Sequence, residues 1–82
     1  MSLTFIHTSD WHLGFIYRRL GARAQESYQW RFDTVSRLFD LARREDAQFI
    51  LVAGDIFHTS SPTVEVQRQA AELLRGAPCP IY

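Results

Sequence analysis

Hydrophobic and polar positions along the chain switch between two periods. Leu3-Thr4-Phe5-Ile6-His7-Thr8 is a β-prone run that stops at Ser9-Asp10, which predicts a first strand. Over residues 27–44, Tyr28, Phe32, Val35, Leu38, Phe39 and Ala42 recur at three- and four-residue steps. That spacing is the buried stripe of an amphipathic helix, with Arg31, Asp33, Arg37, Asp40, Arg43 and Arg44 mostly on its wet side. Arg43 and Arg44 suit the negative end of the helix dipole. Phe49-Ile50-Leu51-Val52-Ala53 is continuously apolar, which predicts a strand covered on both faces, and Gly54-Asp55 ends it. A second helix is expected over residues 61–75, with Pro62 at its first position and Gly76 and Pro78 as its stop. Its buried stripe would be Val66, Ala70, Leu73 and Leu74. Cys79-Pro80-Ile81-Tyr82 reads as the opening of a third strand.

The order β-α-β-α-β predicts an α/β fold with a mostly parallel sheet and right-handed crossovers. In such sheets functional residues collect at the carboxyl ends of the strands. Asp10 and His12 follow the first strand and Asp55 follows the second. If the two strands are neighbours, about 4.8 Å apart, both ends lie at one edge. Two segments far apart in sequence then present Asp, His and Asp to one point.

Composition narrows the chemistry. The 82 residues are 46% hydrophobic and 22% charged, which suits a folded chain rather than a disordered one. Nine basic residues, all arginine, balance nine acids. A nucleic acid would therefore be handled by a local site, not by bulk charge. One cysteine cannot form an intramolecular disulfide, which fits a reducing, cytoplasmic setting; Cys79 reads as a small buried residue rather than a nucleophile. The start lacks a basic, apolar signal pattern, and no run approaches the roughly 20 apolar residues of a membrane span. A domain of this size would bury only about 60% of its unfolded surface, so its stability reserve is small.

Asp10-x-His12 on an extended segment would give two side chains the same sense, since direction repeats every two residues. Mixed oxygen and imidazole donors favour a transition metal such as Mn, Fe or Zn over Mg. Gly54 lets the backbone turn tightly and come close to what is bound. Asp55 could bridge two cations at the roughly 3.5–4 Å spacing of two-metal phosphoesterases. Such a pair clamps a phosphate, acidifies a bound water and stabilises charge on the attacking and leaving oxygens. Singly, Asp10 or Asp55 could equally be a turn or cap residue. Their joint placement after two apolar strands is what favours a metal.

His7-Thr8-Ser9-Asp10-Trp11-His12-Leu13-Gly14, followed by Leu51-Val52-Ala53-Gly54-Asp55-Ile56-Phe57, resembles the start of an SbcD-type nuclease subunit. Proteins of this type are bacterial relatives of the archaeal and eukaryotic double-strand-break repair nucleases, within the calcineurin-like metallophosphoesterases. The similarity runs through nearly the whole chain. Asp-x-His with Gly-Asp marks the superfamily; the longer strings mark the nuclease branch. The resemblance implies a site for two Mn ions, with Asp10 and His12 on the first and Asp55 bridging both. It implies metal-dependent DNA hydrolysis, exonucleolytic from ends and endonucleolytic on single strands or hairpins. It also implies an SMC-like coiled-coil ATPase partner and a homodimer. His58 would help position the DNA phosphate, as some family counterparts do. The family's later Gly-Asn-His and further histidine segments have no match within these 82 residues. The expectation is thus an N-terminal portion, residues 1–82, of a nuclease domain, with an incomplete ligand set.

Other residues carry weaker expectations. Arg18, Arg19 and Arg23 lie in residues 15–25, which show no strong pattern; they could grip a DNA backbone, and Tyr17 could stack on a base, or all could be a solvated surface. His7 is expected as a hydrogen-bonded core histidine and Trp11 as packing beneath the loop. Tyr28 is expected in the core and Trp30 as a partly covered surface aromatic, with a subunit contact as the alternative for both. Two other functions stay open from sequence: a metallophosphoesterase acting on small phosphomonoesters or nucleotides, and a non-catalytic scaffold with the same fold.

Overall fold

A computed structural model describes residues 2–16 and 18–82. Two strands, β1 (Phe5–Ser9) and β2 (Phe49–Ala53), pair in parallel, Phe5 opposite Phe49 through Ser9 opposite Ala53. Helix α1 (Ala24–Arg44) connects them and α2 (Val64–Arg75) follows. The expected third strand is present as a single parallel bridge, Ile81 to Ile50, on the side of β2 away from β1. It is held by Ile50 N–H to the Pro80 carbonyl (2.9 Å) and Tyr82 N–H to the Ile50 carbonyl (2.8 Å). This is the α/β, parallel architecture expected from the sequence.

The core lies on one face of the sheet. Ile50, fully buried, packs with Phe32, Val35, Phe39 and Ala42 of α1 and with Val66 and Ala70 of α2. The α1 stripe is the one that the spacing predicts. On α2, Val66 and Ala70 are buried, Leu73 is half-buried and Leu74 is exposed. The other face of the sheet is open, contrary to the expected two-sided cover: β2 alternates in burial, and Phe5 (46% exposed), His7, Leu51 and Ala53 face outward. Phe5 stacks on Phe49 there, ring centroids 5.0 Å apart, in place of an overlying layer. His7 is therefore an exposed residue and not a core histidine, because it shares this face.

Two boundaries differ from expectation, each for a local reason, while α1 ends at Arg44 as its stripe predicts. Residues Arg18–Arg23 form a 3-10 segment kinked at Gly21, and α1 begins at Ala24, where Ser27 Oγ donates to the Ala24 carbonyl (2.6 Å). Helix α2 begins at Val64, with Pro62 outside it. The hydroxyl of Thr63 accepts the Val66 N–H (3.2 Å) and takes the cap that would otherwise fall further upstream. Helix α1 stops through a Schellman arrangement: Asp46 adopts a left-handed conformation (φ 51°), and Ala47 N–H donates to the Ala42 carbonyl (2.9 Å).

Candidate metal centre

Beyond Ser9 and Ala53 the two segments stay zipped together while leaving strand geometry. Asp10 N–H donates to the Ala53 carbonyl (2.9 Å), Leu13 N–H to the Ile56 carbonyl (2.8 Å) and His58 N–H to the Leu13 carbonyl (2.9 Å). Leu13, buried, forms a parallel bridge with Phe57. Residues 10–13 and 54–58 are thus one paired unit at the carboxyl edge, the place where a parallel sheet gathers functional groups. The edge is anchored from below by Trp11. Its ring is buried (5% exposed), meets Phe39 edge-on and donates from Nε1 to Thr8 Oγ1 (3.2 Å). That is the packing role the sequence suggests for it.

Asp10 and His12 do converge, but not by the expected route. The segment is not extended: Asp10 (φ 51°) and His12 (φ 47°) are both left-handed, a region costly for residues other than glycine and least so for Asp, Asn and His. Trp11 turns down into the core between them. Asp10 Oδ1 comes to 3.8 Å from His12 Nε2. Strained backbone held in place by surrounding pairing is common where a site must be preset.

Gly54 is the seat of the Asp10 carboxylate. Its φ is +83°, and a Cβ built there would stand 2.1 Å from Asp10 Oδ1 and 2.9 Å from its Cγ, so a side chain would be strained and would push the carboxylate aside. The next residue, Asp55, offers its backbone N–H to the same oxygen (3.4 Å). Asp10 is therefore fixed from across the strand pair. Gly54 approaches a carboxylate of the chain itself, which the sequence could not specify.

His58 also reaches the edge: its ring centroid is 6.2 Å from that of His12 and 4.9 Å from that of Phe15. Asp10 and His12 are thus brought together with His58 near the His12 ring, while Asp55 contributes its backbone to the unit. Among the described residues no three His, Cys, Asp or Glu side chains form a metal-holding group. Arg18, Arg19 and Arg23 are exposed on the 3-10 segment; Arg23 pairs with Glu26 (3.0 Å) and lies 5.9 Å over the Trp30 ring. Tyr17 lies outside the described residues. Cys79 is free and half-buried against the core.

The Asp10–His12 pair suits a cation. Ligand distances near 2.0–2.2 Å from nitrogen and oxygen let one ion sit between donors 3.8 Å apart. His12 Nδ1 is buried with no hydrogen-bond partner among the described residues, and a buried imidazole nitrogen seldom stays unpaired. The nitrogen that faces Asp10 is the other one, Nε2, so the fit of an ion rests on the Asp10 Oδ1–His12 Nε2 separation. Two donors fit an ion; they do not complete its coordination.

Sequence reasoning misses Arg31, whose position in the pattern assigns it to the solvated face of α1. The structure puts it half-buried beside the edge, its guanidinium 5.0 Å over the ring of Phe15. The signal that could have found it is topological: the helix after a parallel strand starts at that strand's carboxyl edge, so its early turns flank the site.

Comparison with known proteins shows the family. The calcineurin-like phosphoesterase family model matches residues 3–82. The chain is 36% identical over 70 residues to the DNA double-strand break repair protein Mre11 of Saccharolobus solfataricus, covering 85% of this chain and 17% of that protein. It is 37% identical over 62 residues to the SbcD component of the nuclease SbcCD of Escherichia coli K12, covering 73% and 14%. It is 33% identical over 90 residues to the uncharacterized metallophosphoesterase YhaO of Bacillus subtilis, covering 98% and 21%. The chain thus spans about a fifth or less of these relatives' lengths. With the matched model covering both strand ends and both helices, the chain belongs to the calcineurin-like phosphoesterase family.

Proposed function

We propose that this segment supplies part of the metal centre of a DNA nuclease that works in double-strand-break repair or recombination, with Mn as its metal in a two-ion site. The reading rests on one observation above the others: the Asp10 carboxylate seated on Gly54 of the neighbouring strand end, with His12 Nε2 3.8 Å away. Similarity to Mre11 and to the SbcD component of SbcCD supports the choice of DNA over a small ester. When bound, two divalent ions of this kind clamp a phosphate, acidify a water and take up charge on the reacting oxygens.

In this reading Asp10, His12 and Asp55 would hold the metal, Asp55 as the shared ligand, and further ligands would come from outside these residues. Left-handed backbone and the Gly54 seat fix Asp10 before any substrate arrives, which lowers the reorganisation required at the moment of reaction. His58, at the rim, donates to or orients a phosphate oxygen. Arg18 and Arg19 contact the DNA backbone at a distance, Arg23 less so because Glu26 already engages it. Exonuclease and endonuclease action, an SMC-like coiled-coil ATPase partner, a homodimer and a cytoplasmic location belong to the same proposal for the whole protein. No helix among the described residues is long and apolar enough to cross a membrane.

The test uses the full-length protein with Mn, comparing linear DNA with a p-nitrophenyl phosphate ester. Mn-dependent cutting of DNA is expected. Asp10→Asn should lower it by more than about 100-fold, the upper end of what losing a mere outer-shell partner costs. Hydrolysis of the ester alone would move the protein to the small-phosphoester reading, and metal binding without hydrolysis of either would support a scaffold.

A further inference from the structure

We infer that Arg31 and Trp30 of α1 form a subsite for a single-stranded nucleotide segment, between the Asp10–His12 edge and the 3-10 segment. The inference rests on the nuclease reading and specifies where its substrate strand runs.

Arg31 and Trp30 line two adjoining cavities. One, of about 310 Å³, is shared with Asp10, Trp11, Thr8 and Thr34; the other, of about 320 Å³, is shared with Phe15 and Leu20. The two residues form the ridge between the candidate metal edge and the 3-10 segment. Arg31 is the arginine in the same hollow as Asp10. It has no carboxylate partner among the described residues, whereas Arg23, Arg43 and Arg68 each engage one. What holds Arg31 is the face of Phe15, at 5.0 Å. A cation held over a ring spends no hydrogen bond there, which leaves its N–H donors available in the fork that matches phosphate oxygens. Phe15 in turn packs against His58, 4.9 Å away, so guanidinium and imidazole are set by one ring.

Trp30 adds the second half of nucleotide chemistry. It is 48% exposed, so much of its indole surface is open to a flat partner. Arg23 lies 5.9 Å from its centroid, which orients the ring. An aromatic face beside a cation is the recurring platform for an unpaired base and its phosphate. A duplex keeps its base faces covered by its own stacking, so this pairing favours a frayed or single-stranded end.

The test is binding of a fluorescent single-stranded oligonucleotide to the full-length protein by anisotropy, without metal, across a salt series, beside Mn-dependent cleavage of DNA. Arg31→Ala is expected to weaken binding about tenfold and to reduce the salt slope by about one. Trp30→Ala should weaken single-strand binding about tenfold and duplex binding far less. Arg31→Lys should restore the salt slope while leaving part of the affinity lost. Arg37→Ala, exposed on the same helix, is the control and should bind like wild type. Circular dichroism melts exclude unfolding. Wild-type cleavage of DNA together with unchanged binding by Arg31→Ala and Trp30→Ala would overturn the subsite alone. An equal loss in Arg37→Ala would do the same, by showing a bulk charge effect. A wild-type protein that neither binds nor cuts DNA would overturn the nuclease reading and the subsite with it.

Discussion

At the scale of single residues, position 54 decides most. Aspartate and histidine at a strand end are common, and neither specifies where its side chain goes. The carboxylate of Asp10 reaches its place because residue 54 has no Cβ and tolerates a φ of +83°. Gly54→Ala should therefore displace Asp10 and cost about 1–3 kcal/mol of stability from the left-handed backbone and the clash. In the full-length protein Mn affinity, read by calorimetry, should fall at least about tenfold, as when a supporting contact is lost. Wild-type affinity with an intact fold would show that Asp10 is not held by this seat. Candidate ligands were legible because Asp10, His12 and Asp55 follow apolar runs. Their meeting at one edge was expected too, but not the route by which Asp10 and His12 meet, because no sequence rule assigns a left-handed backbone to both.

At the scale of elements, burial patterns told strands and helices apart, while boundaries followed from contacts only a few residues long. Strand β2 matches its apolar run residue for residue, since five consecutive apolar positions leave little else to form. Helix α1 runs three residues further upstream than its stripe, because Ala24, Gln25 and Glu26 carry no apolar periodicity. One contact between the helices is sensitive to pH. The Tyr28 hydroxyl on α1 donates to Gln69 Oε1 on α2. Desolvation first, and the nearby Glu65 carboxylate second, push the phenol above its ordinary value of 10.0. A raised acid favours the protonated folded state, so its stabilisation is complete below about pH 10 and is lost as the pH rises through the folded value. Thermal melts of the segment should show a midpoint that falls above about pH 10, and Tyr28→Phe should flatten that part of the profile. An identical alkaline decline in the variant would place its origin elsewhere.

At the scale of the whole molecule, the segment is more open than a free-standing domain of its mass. Its radius of gyration is 13.7 Å against about 12 Å expected for this length, and its accessible surface is 5791 Å² against roughly 5,000 Å². The excess includes the open sheet face with Phe5 and Leu51, and Tyr82 beside it (72% exposed). Apolar surface left in water forgoes the stabilisation of about 25 cal/mol per Å² that burial would bring. The 82 residues alone should therefore unfold in urea with a low midpoint and a broad transition, and should bind a hydrophobic dye such as ANS. A sharp two-state transition with more than about 5 kcal/mol of stability would contradict this.

The sequence by itself determined the elements, their parallel order and the edge at which chemistry would collect, because hydrophobic period and strand polarity are local or topological properties. It also determined the donor types, two carboxylates and an imidazole. Only the tertiary structure decided how Asp10 and His12 meet. The left-handed turns at Asp10 and His12, the seat on Gly54 and the stacking of Arg31 on Phe15 all depend on pairing between segments distant in sequence. The same pairing decided which sheet face is covered, because both helices pack against the face that carries Ile50. A run of five apolar residues cannot say which of its sides meets a helix.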